Sequence, residues 1–185
     1  MRRPNRPNSA IAALVLLGLR GALAQEPEAM CNWGSSYGWA VNSLGQDPCM
    51  VANDLFSTVP GPCSDSNIVF QSLNGGIGYT GSAALAFYAN TCICNTVIYS
   101  LAAACSLCQG ASLISWSTWT AYCAGTQTVY QKWPAAIPSS ISIPLWAYMA
   151  INGSWDSTAA KNNASVTAQS QLSRRQNRLP VLAQL

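Results

Sequence analysis

Apolar side chains recur at helical spacing in several stretches of the chain, and turn-forming residues separate these stretches. The strongest pattern runs from Asn95 to Cys108 and is followed by Gly110, a residue typical of helix ends. One face of this segment carries Val97, Leu101, Cys105 and Cys108. The spacing predicts a helix, and its two cysteines, one turn apart, predict that it is bonded to two neighbouring segments.

Weaker patterns predict further short helices. Asp47 is a favoured cap and Pro48 fits a first helical position, so a helix begins there and ends before Pro60-Gly61-Pro62. We also expect short helices over residues 82–88 and 115–122, and a loop over residues 64–82. Trp116 and Trp119 share a stripe with Cys123, which indicates packing in the core.

The pattern changes after about residue 127. Pro134, Pro138 and Pro144 fall between apolar and aromatic residues, which favours an extended strap across the helices. Beyond Ser157 the chain is rich in Ala, Asn, Ser and Gln, and we expect residues 158–185 to form a disordered basic tail. The predicted fold is a small, mainly α, disulfide-rich domain of three to four short helices within residues 25–157.

The first 24 residues have the pattern of a secretory signal peptide. Arg2, Arg3 and Arg6 precede the apolar run from Ala10 to Leu19, and Ala22-Leu23-Ala24 predicts cleavage before Gln25. The alternative is an uncleaved signal anchor, but the apolar run is well short of the roughly 20 residues of a spanning helix. We therefore expect a secreted, extracellular protein.

The chain contains eight cysteines, which is an even number typical of four disulfides in a secreted domain. They are Cys31, Cys49, Cys63, Cys92, Cys94, Cys105, Cys108 and Cys123. Sequence does not choose among their 105 possible pairings, although Cys92 and Cys94 are too close to favour a mutual bond. A zinc site of four thiolates and a redox pair at Cys105-x-x-Cys108 are the alternatives, and an oxidising compartment disfavours zinc. We expect no bound metal and no cofactor.

Charge and composition exclude several functions. The chain has no histidine, which removes His-dependent catalysis and His-ligated metals. Residues 25–157 contain six acidic residues and one basic residue, Lys132, so nucleic-acid binding is disfavoured. Asp47 and Asp54 are seven residues apart, but a helix cap accounts for Asp47 and leaves no pair of catalytic carboxylates. We expect a protein that is not an enzyme.

Three exposed positions are candidates for modification or binding. Asn152-Gly153-Ser154 and Asn163-Ala164-Ser165 are sequons that predict N-glycosylation at Asn152 and Asn163. Trp155 lies at the edge of the predicted domain, and we expect it to be an exposed aromatic that binds a protein or glycan partner.

Several motifs occur in one order along the chain: Cys31-x-Trp33, Gln46-x-Pro48-Cys49, Cys92-x-Cys94-Asn95, Cys105-x-x-Cys108-Gln109-Gly110, Trp116-x-x-Trp119 and Ile143-Pro144-x-Trp146. Together they cover about residues 30–150 and resemble a family of uncharacterised cysteine-rich extracellular domains of mushroom-forming (agaricomycete) fungi. The resemblance implies an extracellular location and a cysteine-rich fold, but it implies no biochemical activity. Members often continue into a transmembrane helix, whereas residues 170–185 offer only a short apolar run. A secreted variant and a chain that ends before its anchor are both open interpretations.

A looser resemblance is to the fungal eight-cysteine CFEM domains, some of which bind haem. The spacing from Cys92 to Cys123 resembles theirs, but residues 88–91 lack the Asp that ligates iron in haem-binding members. Hydrophobins differ, because they carry adjacent cysteine pairs. The favoured function is a non-enzymatic binding or structural module of the fungal cell surface, and a haem-binding domain is the alternative.

Overall fold

The computed structural model describes residues 28–32, 36–57, 61–65, 67–80, 89–123 and 127–178. These residues form four α-helices: α1 (Pro48–Ser57), α2 (Thr96–Cys108), α3 (Trp116–Trp119) and α4 (Ser157–Arg178). Short 3-10 helices span Gly38–Ala40, Thr120–Tyr122 and Leu145–Tyr148. The described residues include isolated bridges but no strand. The mainly α, disulfide-rich fold is thus confirmed, whereas the predicted signal peptide and the predicted helix at residues 82–88 lie outside the described residues.

Helix α2 is the centre of the molecule. All of its residues except Leu107 are buried, so this helix is packed on every side, as expected for a helix without a polar face. Its first turn is capped by Asn95, whose side-chain oxygen accepts a hydrogen bond from Val97 N at 2.7 Å. Its last turn closes at Gly110, whose positive φ of 79° suits a glycine. The predicted helix and both of its ends are therefore confirmed.

Helix α1 begins where Asp47 and Pro48 predict. Asp47 is fully buried, and its Oδ1 accepts hydrogen bonds from Cys49 N at 2.8 Å and Met50 N at 2.9 Å. Its Oδ2 accepts a third from Cys31 N at 3.2 Å, which ties the N-terminal segment to the helix. Asp47 is thus a structural cap, which agrees with the sequence-based explanation of this carboxylate.

The eight cysteines form four disulfides. The pairs are Cys31–Cys108, Cys49–Cys105, Cys63–Cys92 and Cys94–Cys123. Cys105 joins α2 to α1, and Cys108 joins α2 to the N-terminal segment, so the prediction that α2 is bonded to two neighbours is confirmed. Cys92 and Cys94 have different partners, as expected. The four-thiolate zinc site and the Cys105–Cys108 redox pair are not formed, because each cysteine sulfur is bonded to a cysteine distant in sequence.

The remaining segments are tied to the helices by buried polar side chains. Asn53 of α1 donates to Phe70 O and accepts from Phe70 N at 2.7 Å, which fixes the long loop after α1. Trp119 is almost fully buried, and its indole N–H donates to Ile93 O at 2.8 Å. Trp116 is half-buried against Tyr99. The expected core placement is confirmed for Trp119 and holds in part for Trp116.

Residues 127–156 form the strap, an extended segment that crosses the helices as predicted. At its start, Asn95 donates to Lys132 O at 2.6 Å, and Gln131 N donates to Thr96 Oγ1 at 2.7 Å. At its end, Trp155 N donates to Tyr99 OH, while the Tyr99 hydroxyl donates to Ile114 O at 2.7 Å. Both ends of the strap are thus hydrogen-bonded to the cap and first turn of α2.

The expectation of a disordered tail is corrected by helix α4. Residues 157–178 form one helix of 22 residues, which begins where Asp156 Oδ1 accepts from Thr158 N and Ala159 N. Ala160 is fully buried, and Asn163, Ala164 and Thr167 are half-buried on the same face. A stripe of small side chains allows the helix to approach the strap closely, and this packing, rather than a large apolar face, holds it. Residues 179–185 of the predicted tail lie outside the described residues.

Among the described residues, no helix combines the length and apolar character that crossing a bilayer requires. The most extended one, α4, has a strongly polar composition. The four disulfides are typical of an extracellular protein.

Candidate functional site: a groove beside the strap

A groove of about 430 Å³ lies where three distant segments meet. One wall comes from residues 38–43, the floor and second wall from residues 142–146 of the strap, and the third from residues 164–171 of α4. Its lining residues are Gly38, Trp39, Val41, Asn42, Ser43, Ser142, Ile143, Pro144, Leu145, Trp146, Ala164, Ser165, Thr167, Ala168 and Gln171. We refer to this space as the groove.

Asn42 fixes the first wall against the strap. Its Nδ2 donates to Ser142 O at 2.6 Å and to Gln46 Oε1 at 2.8 Å. Its Oδ1 accepts from Leu44 N and Gln46 N, both at 2.9 Å. Gln46 adds a further bond to the strap, from Nε2 to Ser140 O at 3.1 Å. Both polar atoms of the Asn42 carboxamide are thus in use, so Asn42 shapes the groove and has little capacity left for a ligand.

A cluster of aromatic residues packs next to the groove and supplies two of its lining residues. It consists of Tyr37, Trp39, Trp146 and Trp155. Trp39 stacks on Trp155 with ring centroids 6.3 Å apart, and Trp146 meets both rings edge-on at 5.9 and 5.6 Å. Trp146 and Trp155 are buried, whereas Trp39 is only partly buried and contributes aromatic surface to the groove. Each aromatic pair of this kind contributes about 0.5–1.5 kcal/mol of stabilisation beyond the burial of its apolar area.

Trp155 is therefore not the exposed binding aromatic that we expected. Only 3% of its surface is accessible, because it lies between Trp39 and Trp146. The aromatic residues that line the groove are Trp39 and Trp146, which the sequence did not single out. Trp146 belongs to the Ile143-Pro144-x-Trp146 motif, but nothing local indicated that Trp39 lies beside it.

Two indole N–H groups of the cluster are buried and have no hydrogen-bond acceptor among the described residues. These are Nε1 of Trp146 and Nε1 of Trp155, and Trp133 outside the cluster has the same property. A buried donor without an acceptor costs about 1–3 kcal/mol of stability. The cluster therefore combines tight ring packing with indole donors that no described residue satisfies.

No described residue of the groove lining is charged. Apolar surface comes from Trp39, Ile143, Pro144 and the Leu145 side chain, which is 59% exposed at the rim. Hydroxyl and amide groups line the same space: Ser43 and Ser142 share a hydrogen bond of 3.3 Å, and the Gln171 carboxamide makes none to any described residue. Ser165 and Thr167 donate to carbonyls of their own helix, at 3.0 and 2.9 Å, and keep oxygen lone pairs for a donor.

The lining does not fit haem or a catalytic metal. No His, Cys, Met or Tyr, the usual axial ligands of haem iron, is among the groove residues. Elsewhere in the described part of the chain, the Sγ atoms of Cys31, Cys49 and Cys108 lie within 4.8 Å of one another. These sulfurs belong to two adjacent disulfides and are not thiolates, so they are unsuited to hold a metal ion.

None of the described acidic residues lines the groove. Asp47 is used as the α1 cap, and Asp54 accepts a hydrogen bond from Gln46 Nε2 at 3.0 Å. Partial burial raises the pKa of the Asp54 carboxyl above its ordinary value, and the nearby Glu28 charge raises it further. Burial also raises the pKa of the Tyr99 hydroxyl, so this group stays protonated while it joins α2 to the strap. The structure does not bring two carboxylates together in the groove.

The two sequons differ in their surroundings. Asn152 is exposed in a tight turn in which Ser154 N donates to Asn152 O at 3.0 Å. Asn163 is half-buried within α4, and its Oδ1 is buried with no hydrogen-bond partner. Asn152 also borders a second, smaller cavity of about 280 Å³ beside Trp155. Glycosylation at both positions stays a prediction.

Comparisons with protein-family models, with curated proteins and with solved structures found no match to this chain. The function must therefore be inferred from the geometry of the described residues, and both family resemblances stay predictions.

Proposed function

We propose that the protein is a secreted, non-enzymatic binding module of the fungal cell surface, and that the groove is its ligand site. The observation that carries the proposal is the groove itself, whose described lining combines aromatic surface with hydroxyl and amide groups and includes no charged residue. Pockets of mixed apolar and uncharged polar lining are typical of binding sites. The extracellular place is supported by the four disulfides, by the signal-like N-terminus and by the resemblance to fungal extracellular domains.

The chemistry of the lining supports binding rather than catalysis. Acid–base catalysis needs a titratable group close to the reacting bond. The groove residues include no Asp, Glu, Lys, Tyr or Cys, and activation of Ser43 or Ser142 needs a base that the lining does not provide. A module of this kind acts by holding a partner in place.

The test is binding of the secreted protein to isolated walls of a mushroom-forming fungus. Ala168→Arg places a long side chain in the groove from the exposed face of α4, and Val166→Arg is the matched control, because Val166 is 66% exposed and does not line the groove. We expect Ala168→Arg to weaken wall binding at least tenfold and Val166→Arg to leave it within twofold. Absence of wall binding, or equal binding by both variants, would overturn the proposal.

A further inference from the structure

The groove combines features that favour one ligand class over others. Sugar rings have an apolar face of C–H groups and a rim of hydroxyls that both donate and accept hydrogen bonds. Aromatic and aliphatic side chains match the first feature, whereas hydroxyl and carboxamide groups match the second. The lining of the groove contains both kinds of side chain.

The lack of charged residues in the described lining narrows the class of ligand further. Acidic polysaccharides and phosphorylated ligands require cations close to them, and basic peptides require anions. Among the side chains that the structure describes, those of Lys161 and Arg174 are the charged ones nearest in sequence to the α4 wall, and neither lines the groove. An uncharged ligand therefore enters without leaving an ionic group unpaired.

We infer that the groove binds a neutral polysaccharide chain, with Trp39 and Leu145 against the sugar faces and Gln171, Ser43 and Ser142 along the hydroxyl edge. This inference rests on the proposed function and names its ligand. Trp39 is held in place by Trp155 behind it, so the aromatic surface is rigid before a ligand arrives. Gln171 is exposed on the last turn of α4 that lines the groove, where both its amide donor and its carbonyl acceptor are accessible.

The experiment measures depletion of the full secreted protein by insoluble β-1,3-glucan and by chitin, both uncharged polymers, and by polygalacturonate beads as an anionic comparison. We expect binding to at least one neutral polymer, little dependence on salt, and at least tenfold weaker binding by Ala168→Arg. Val166→Arg should bind within twofold of the unsubstituted protein. Gln171→Ala should weaken binding about three- to tenfold, which is the loss expected for one or two hydrogen bonds to a neutral ligand.

The failures of the two proposals are distinguishable. One outcome is wall binding that depends on the groove although no neutral polymer binds. If protease treatment of the walls then removes the binding, the ligand is a protein. That result overturns the inference of a polysaccharide ligand, but the proposed binding module stands. Preferential binding to polygalacturonate, lost at high salt, also overturns it. Binding of neutral polymers that Ala168→Arg leaves unchanged places the site elsewhere and overturns both. Circular dichroism of each variant shows whether α4 is intact.

Discussion

The two halves of the molecule are stabilised in different ways. Residues 31–123, the cysteine-bonded region, contain all four disulfides and the fully buried helix α2. Residues 127–178, the C-terminal region, contain no cysteine and are held by aromatic packing, hydrogen bonds and a stripe of small residues on α4. The covalent bonds fix one half, whereas the other half is fixed only by contact with it.

The groove lies at the boundary between these halves. Trp39 and Asn42 come from the cysteine-bonded region, whereas the strap and α4 belong to the C-terminal region. The wall from the cysteine-bonded region is rigid, whereas the walls from the strap and α4 can adjust. Local unfolding of segments without disulfides costs less free energy. The predictions below test this difference, beginning with the largest effect.

Reduction of the disulfides should unfold both halves. Each bond contributes about 2–4 kcal/mol by restricting the unfolded chain, and four together match or exceed the net stability of about 5–15 kcal/mol typical of a domain. The C-terminal region should unfold as well, because its packing surface is lost. Near-UV circular dichroism of the tryptophans, with reduction verified by mass, measures this. An unreduced sample at the same pH is the control. A tryptophan signal that survives full reduction would show that the C-terminal region does not depend on the disulfides for its fold.

Removal of the Trp155 ring should destabilise the C-terminal region alone. Trp155→Ala leaves a cavity between Trp39 and Trp146, and we expect a loss of about 3–5 kcal/mol. Hydrogen exchange should accelerate in residues 142–178, while α2 amides stay protected. Trp155→Phe keeps a ring and removes an indole N–H that has no acceptor, so we expect it to lose at most about 1 kcal/mol. Equal acceleration in α2 would show that the halves unfold as one unit.

The cysteine-bonded region follows closely from sequence, because its signals are local. Asp47 with Pro48, Asn95 and Gly110 mark helix ends through their own hydrogen bonds and backbone preferences, and the structure confirms each. The disulfide partners could not be derived, since 105 pairings satisfy the same count and only the packing of α1 against α2 selects among them.

The C-terminal region and the groove were harder to derive. Helix α4 has a local start signal at Asp156 and small residues at Ala160 and Ala164, but small side chains bury little area and resemble a disordered composition. The burial of Trp155 depends on Trp39, which is far away in sequence. The groove needs three distant segments at once, so no pattern along the chain could indicate it.

Loss of the Asn42 side chain should loosen the boundary by a smaller amount. Asn42→Ala removes four hydrogen bonds, two of them to Gln46 and one to the strap, and we expect a loss of about 2 kcal/mol. Asn42→Asp keeps the acceptors for Leu44 N and Gln46 N but places a carboxylate oxygen against Ser142 O and Gln46 Oε1, so it should lose at least as much. Urea unfolding measures both. If Asn42→Asp is as stable as the unsubstituted protein, the bond to Ser142 O does not hold the two halves together.

The smallest expected effect is a pH dependence at Asp54. Its raised pKa means that the folded protein binds this proton more tightly than the unfolded chain does. The stabilisation is complete below the ordinary pKa of Asp, near 3.8, and is lost as the pH rises through the raised value. Asp54→Asn keeps an acceptor for Gln46 Nε2 and removes the titration, so its melting temperature should fall less than that of the unsubstituted protein across this window. Parallel pH profiles would show that other groups control it. Because Gln46 also bonds to Ser140 O, the same profile in Gln46→Ala shows whether this charge acts on the strap or only on α1.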